Sequence, residues 1–356
     1  MRILRVAALA AGGLLLMGQV VPAQAHGGSS YRWELTPTGT TAQFRGLAAV
    51  SKDVAWVGGT AGTVLRTVDG GKHWQNVSPP GAEALQFRDV EAFDARRAVA
   101  LTIGTGEDSR VYRTSDGGKT WSETFRNTDA NAFYDCIAFN DDKHGLALSD
   151  PVDGKFRIAA TADGGKSWKV QPTDAMPAAL AGEFAFAASG TCLVAGHGRT
   201  AWFATGGGDR PRVFRTVDGG RRWTVSDSPM ASGEAAGIFS LAFRNSLFGV
   251  AVGGDFLKPT EAVNAASITY DGGRTWKLVP AGKAPKGYRS GSHFVPWSPT
   301  TVVAVGPSGS DVSFDGGRSW KQFYDGSFDS VECAGHGIQA GCWASGAKGA
   351  VGRLVH

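Results

Sequence analysis

Sulfur and histidine are scarce in this sequence, which holds four Cys, four Met and seven His in 356 residues. So few cysteines exclude a disulfide scaffold. None forms C-x-x-C and none sits near His at zinc spacing, so no structural zinc and no haem attachment are expected. Also missing are a G-x-G-x-x-G after a strand and a P-loop, the glycine signatures that cradle nucleotide phosphates. No cofactor and no metal are therefore expected. Charged residues make up 19%, and the net charge is +4. That balance gives no reason to expect a nucleic acid or a membrane surface as partner. No apolar stretch reaches the roughly 18 residues of a membrane span.

What the sequence has is glycine and large aromatics. Glycine is 51 of 356 residues, with 19 Phe and 11 Trp. The glycines follow no strict G-X-Y period, which excludes collagen. Hydrophobic residues are 42%, too many for a disordered chain. Aromatics in this excess over Met favour strands.

The first 25 residues read as a secretory signal peptide. Arg2 and Arg5 form a basic start, Val6 to Met17 a short apolar run, and Ala23-Gln24-Ala25 a cleavage site. Cleavage after Ala25 removes two arginines and no acids, so +4 falls to +2. The expectation is an exported protein, secreted or periplasmic and monomeric, in a compartment where disulfides persist. Residues 26–356 are read as a single domain.

One motif recurs six times. Thr67-Val68-Asp69-Gly70-Gly71-Lys72-His73-Trp74 is repeated around Asp116, Asp163, Asp218, Asp271 and Asp315, with steps of 47, 47, 55, 53 and 44 residues. Asp-Gly-Gly between apolar-alternating runs marks a tight hairpin turn, because glycine tolerates positive φ. The carboxylate accepts hydrogen bonds from turn N–H groups, and the Trp fills space between sheets. A period of this length with four strands per unit means an all-β, seven-bladed β-propeller. Six blades are complete. The seventh has strands A to C near Asp329–Cys333, Gly341–Ser345 and Ala350–Leu354, and Tyr31–Pro37 supplies its D strand. Trp33 then stands where the other blades carry their repeat Trp, and this exchange closes the ring without leaving an open edge.

The six motifs resemble the Asp-box, or BNR, repeat of sialidases, sortilin-type receptors and xyloglucan hydrolases. The T-x-D-G-G-[KR]-x-W form and the seven-blade count look most like the photosystem II stability/assembly-factor family. That resemblance implies an assembly factor that binds protein partners. It also implies that Asp69, Asp116, Asp163, Asp218, Asp271 and Asp315 are turn staples at the outer edge of the blades, not catalytic acids.

A ligand site belongs where the blades converge, at the starts of the A strands. Aligning these within the sequence gives a ring of Arg45, Arg88-Asp89, Tyr134-Asp135, Glu183, Ile238-Phe239, Arg289-Ser290 and Phe328-Asp329. Three arginines suit an anion or an acidic peptide, because guanidinium forks bind carboxylates bidentately. The B–C loops share this face. The longer ones are placed at Gly196–Pro211, with His197 and Arg199, and at Gly253–Ala265. Asp150-Pro151 and Asp153-Gly154 read as turn chemistry rather than a cation site.

The leading expectation is a binding module for a protein, peptide or glycan. The alternative is a glycoside hydrolase, sialidase-like or otherwise carbohydrate-active, with Tyr134, Asp135, Glu183 or Asp329 as acid, base or nucleophile. Against a sialidase, the chain's F-R-I, Phe156-Arg157-Ile158, falls on a C strand of blade three rather than before the first repeat. A hydrolase remains better supported than an oxidoreductase, for which no cofactor motif exists. Cys333 and Cys342, nine positions apart on adjacent strands, are expected to form a disulfide. Cys136 and Cys192 lie in neighbouring blades, where a bond and two buried thiols are both open.

Overall fold

The computed structural model describes residues 31–355, so the expected signal peptide and the stretch up to residue 30 lie outside the described residues. These residues form seven four-stranded antiparallel sheets. Blade 1 runs Phe44–Ala49, Ala55–Gly59, Val64–Thr67 and Gln75–Asn76, and the next five blades repeat that meander. The innermost strands contact one another in sequence around the ring, and the last touches the first. No helix is long and apolar enough to cross a membrane among the described residues.

Blade 7 is built from both ends of the described chain. Strand Arg32–Leu35 pairs antiparallel with Val351–Val355, placing Trp33 opposite Leu354 and Glu34 opposite Arg353. Trp33 packs edge-on against Phe328 of its own blade, 5.4 Å between ring centroids, and lies 6.1 Å from Phe323 of blade 6. The core is thus a set of clusters between neighbouring sheets, as the inter-blade position of Trp33 required.

The six repeated turns share one geometry. In the first, Thr67 Oγ1 donates to Asp69 Oδ1 at 3.0 Å, and the N–H groups of Gly71 and His73 donate to Thr67 Oγ1 and Asp69 Oδ1. The same bonds recur at Asp116, Asp163, Asp218, Asp271 and Asp315. The second glycine must lack a side chain for two reasons. Gly118 has φ +80°, and a Cβ there meets Val77 of the preceding blade at 2.5 Å. Donors hold the carboxylates in their charged form: Asp69 is lowered to about 2 by the backbone and then the ring of His73, and Asp116 to about 2 by the hydroxyl and then the N–H of Thr120. These aspartates are spent on turn geometry.

Two disulfides fix the ring further. Cys333 and Cys342 face each other in register, with Cα atoms 4.0 Å apart. Cys136 and Cys192 also pair, Cα atoms 6.3 Å apart, and so staple blade 3 to blade 4.

Blade 4 departs from the expected boundaries. Its A strand is Leu193–Ala195 and its B strand Ala201–Ala204. Gly196–Thr200 is therefore the A–B turn, and the B–C loop is only Thr205–Pro211. Arg199 accepts a bond from Gly219 N–H at its carbonyl, which places it on the face of the repeated turns. His197 shares that turn. Neither belongs to the channel mouth.

Candidate binding site at the channel mouth

Four A strands carry a β-bulge at the same level. Pairing skips Arg45 between Phe44 and Gly46, Arg88 between Phe87 and Asp89, Asp135 between Tyr134 and Cys136, and Phe239 between Ile238 and Ser240. A bulge leaves one residue unpaired and re-aims its side chain. All four skipped residues line one cavity of about 610 Å³ at the mouth of the central channel. The bulge is thus the device that turns a strand residue into a site residue.

The cavity has a charged rim and an aromatic wall. On one side Arg45 Nε lies 3.8 Å from Asp329 Oδ2, and Gln43 Nε2 donates to the same oxygen at 3.1 Å. Arg88 donates to the Ala187 carbonyl and to Gln86 Oε1. Burial, then the nearby charge of Arg45, lowers the Arg88 guanidinium to about 10, still charged at neutral pH. The wall is a ladder of rings. Phe184 meets Phe186 at 4.9 Å, Phe186 stacks on Phe239 at 3.7 Å, and Phe239 meets Tyr288 edge-on at 4.7 Å. Phe256, from the B–C loop of blade 5, continues the wall and is 44% exposed, with Leu257 beside it at 72%.

Of the residues expected at the mouth, Arg45, Arg88, Asp135, Phe239 and Asp329 line it. The others lie elsewhere. Tyr134 is buried against Phe125, 5.1 Å away, because its side chain points to the opposite face from Asp135; burial raises its hydroxyl to about 12. Glu183 precedes the A strand of blade 4 and is buried in a forked ion pair with Arg212, with Thr205 Oγ1 and Leu180 N–H also donating to it. Arg289 is buried, its Nε donating to Asp311 Oδ2 at 2.6 Å inside blade 6. The three-arginine ring is therefore two arginines.

Asp89 sits one step below the rim, in the narrow channel. It shares a cavity of about 210 Å³ with Glu91, Glu332 and His293. Asp89 Oδ2 accepts the Ile137 N–H at 2.7 Å, and Glu332 Oε2 accepts the Ala49 N–H at 2.8 Å, so each carboxyl ties two neighbouring A strands. Burial raises all three acids, Glu332 to about 8, and lowers His293. Among the described residues, no group of three or more His, Cys, Asp or Glu is placed to hold a metal ion.

Sequence reasoning put Asp150 on a loop of the mouth face but read it as turn chemistry, and it missed the Phe184–Phe186 segment; both are part of the mouth. Asp153 and Gly154 are a turn as expected, with φ of 53° and 75°. Asp150 instead points into the cavity, accepting the Ala185 N–H at 2.8 Å. An alternation count along strand Gly145–Val152 runs past the loop boundary that the Asp-Pro pair suggested.

No family model matches the chain, and no curated protein matches it. Solved structures do. One described as YCF48 bound to D1 peptide aligns with a TM-score of 0.64 at 17% identity, covering 95% of this chain and 99% of that one. YCF48 from Cyanidioschyzon merolae aligns at 0.57 and 18%, covering 90% and 98%. A GH74 enzyme of Niastella koreensis aligns at 0.59 and 14%, covering 86% of this chain and 51% of the enzyme. The likeness is one of fold. A peptide-bound YCF48 and a GH74 enzyme share it, so the fold alone does not separate a binding protein from an enzyme.

Proposed function

We propose that this chain is an exported, non-enzymatic binding propeller whose channel mouth takes a peptide or an exposed protein segment. The observation that carries this reading is the mouth itself: a cavity of about 610 Å³ with an aromatic ladder on one wall and Arg45 and Arg88 on its rim. Aromatic and arginine side chains are the usual anchors of protein recognition. The exposed Phe256 and Leu257 extend the apolar surface outward, as a partner larger than the cavity requires. A structure of similar fold is described as YCF48 with a D1 peptide, which supports the ligand class. The signal-peptide reading and two disulfides support export.

The hydrolase reading has less support. Two of its four candidate groups are occupied elsewhere, Glu183 by Arg212 and Tyr134 by the core.

The test is a peptide array probed with labelled protein, with a glycan array beside it for the other ligand class. Peptide hits should weaken at least tenfold for Arg88→Ala and Phe239→Ala. Asp163→Asn, on the opposite face, should leave them unchanged. Hits insensitive to both mouth variants would sink the proposal.

A further inference from the structure

The mouth cavity has a second pole, chemically opposite to the arginines. Asp135 and Asp150 both line it, and neither has a cationic partner among the described residues. The nearest-sequence arginine, Arg157, is engaged instead by Asp129 Oδ2 at 2.6 Å and by Asp153. Asp135 is 1% exposed, and its Oδ2 has no hydrogen-bond partner. Asp150 spends one oxygen on the Ala185 N–H. Buried carboxylates normally pair or accept several hydrogen bonds, because an uncompensated buried charge is strongly unfavourable. Burial raises both groups here, and the charge of Asp150 raises Asp135 further. With no cation supplied by the fold, the pair retains protons toward neutral pH, and a ligand cation would take their place.

The surroundings say what kind of cation fits. The Ala185 bond lays Phe184 and Phe186 beside Asp150, and Phe133 lines the same pole. Ring faces attract an organic cation and repel an anion. From there the ladder runs through Phe239 to Tyr288, which lies next to the Arg45–Asp329 pair. Apolar wall thus separates the acids from the Arg45–Asp329 pair, while Arg88, on the blade next to Asp135, spends its guanidinium on the Ala187 carbonyl and Gln86 Oε1 rather than on the acids. A small, strongly hydrated inorganic cation has no apolar stem to bury against that wall, whereas an ammonium on an apolar stem uses both features.

We propose that the Asp135–Asp150 pair binds a primary ammonium group carried by the ligand, either an amino terminus or a lysine side chain. This deepens the peptide-binding reading and rests on it only for the nature of the carrier.

The first probe is 2-phenylethylammonium, titrated calorimetrically against the exported chain, with 2-phenylethanol as its neutral match. The amine should bind at least tenfold more tightly than the alcohol. Asp150→Asn and Asp135→Asn should each reduce that preference to within about threefold, in protein whose circular dichroism melt shows it folded. Equal binding of amine and alcohol overturns the proposal, as does a preference that survives the double variant. Three further probes separate the sources: Gly-Phe-Gly-Phe, its N-acetyl form, and N-acetyl-Lys-Phe-Gly-Phe. Selective binding of the first assigns the amino terminus, and selective binding of the third assigns lysine. Equal binding of all three, unaffected by Asp150→Asn, leaves the peptide reading standing and removes this one. Binding of the amine with none of the peptides does the reverse.

Discussion

Trp33 Nε1 donates a 3.0 Å hydrogen bond to Ser310 Oγ, 277 positions along the chain. The donor lies on the strand that completes blade 7, and the acceptor lies on the C strand of blade 6. One side chain therefore closes the seventh sheet and locks it to its neighbour. Trp33→Ala should cost about 3–5 kcal/mol, the usual range for emptying a buried aromatic site. Because the ring has no free end to fray, the loss should appear as a lower midpoint of one cooperative urea transition. A separate early transition confined to blade 7 would contradict the closure.

The channel acids predict a stability that falls as pH rises. Glu332 is raised to about 8 by burial, and Asp89 and Glu91 are raised with it. A carboxyl with a folded pKa above its unfolded value contributes stability below the unfolded pKa and loses it as pH climbs through the folded one. His293 is lowered by burial, so it acts in the opposite direction, but only below its unfolded value of about 6.5. Between pH 6.5 and 8.5 the acids decide the sign. The slope is at most about 1.4 kcal/mol per pH unit for each group still protonated in the fold. Glu332→Gln should flatten it, as measured by urea midpoints across that window.

Arg289 and Asp311 form a buried pair within blade 6. Arg289→Met should cost about 3–5 kcal/mol by stranding the carboxylate, while Arg289→Met with Asp311→Leu should recover much of that. A rim arginine facing solvent would lose less than about 1 kcal/mol. Urea unfolding of the single and double variants distinguishes the two placements.

The two disulfides should differ in worth. Cys136–Cys192 spans 56 positions and joins two blades, whereas Cys333–Cys342 spans nine within one hairpin. Closing the longer loop removes more freedom from the unfolded chain. Cys136→Ser with Cys192→Ser should therefore cost about 2–4 kcal/mol, and more than the matching change in blade 7. Equal losses in urea midpoint would argue against the chain-entropy account.

Much of the fold was legible because it rests on local chemistry. Thr-x-Asp-Gly-Gly forms its turn from its own side chains and N–H groups, so six copies count six blades without any tertiary knowledge. Trp33 revealed the seventh in the same local way, as a D-strand sequence matching the A, B and C strands read at Asp329–Cys333, Gly341–Ser345 and Ala350–Leu354. Aligning the A-strand starts of the blades then named Arg45, Arg88, Asp135 and Asp329 at the mouth, since a strand start has a fixed place in every blade. What the sequence could not carry was which way those side chains turn and whom they meet. The bulges decide that Asp135 faces the cavity while Tyr134 faces the core. Glu183 and Arg289 read as rim charges until packing supplied Arg212 and Asp311 as buried partners. Asp150 and Phe184 reach the mouth from a strand end and an irregular connection, where no period marks them. Turn chemistry is local and repeats with the sequence; a site is made by side chains from different blades, and only the closed ring sets the distances between them.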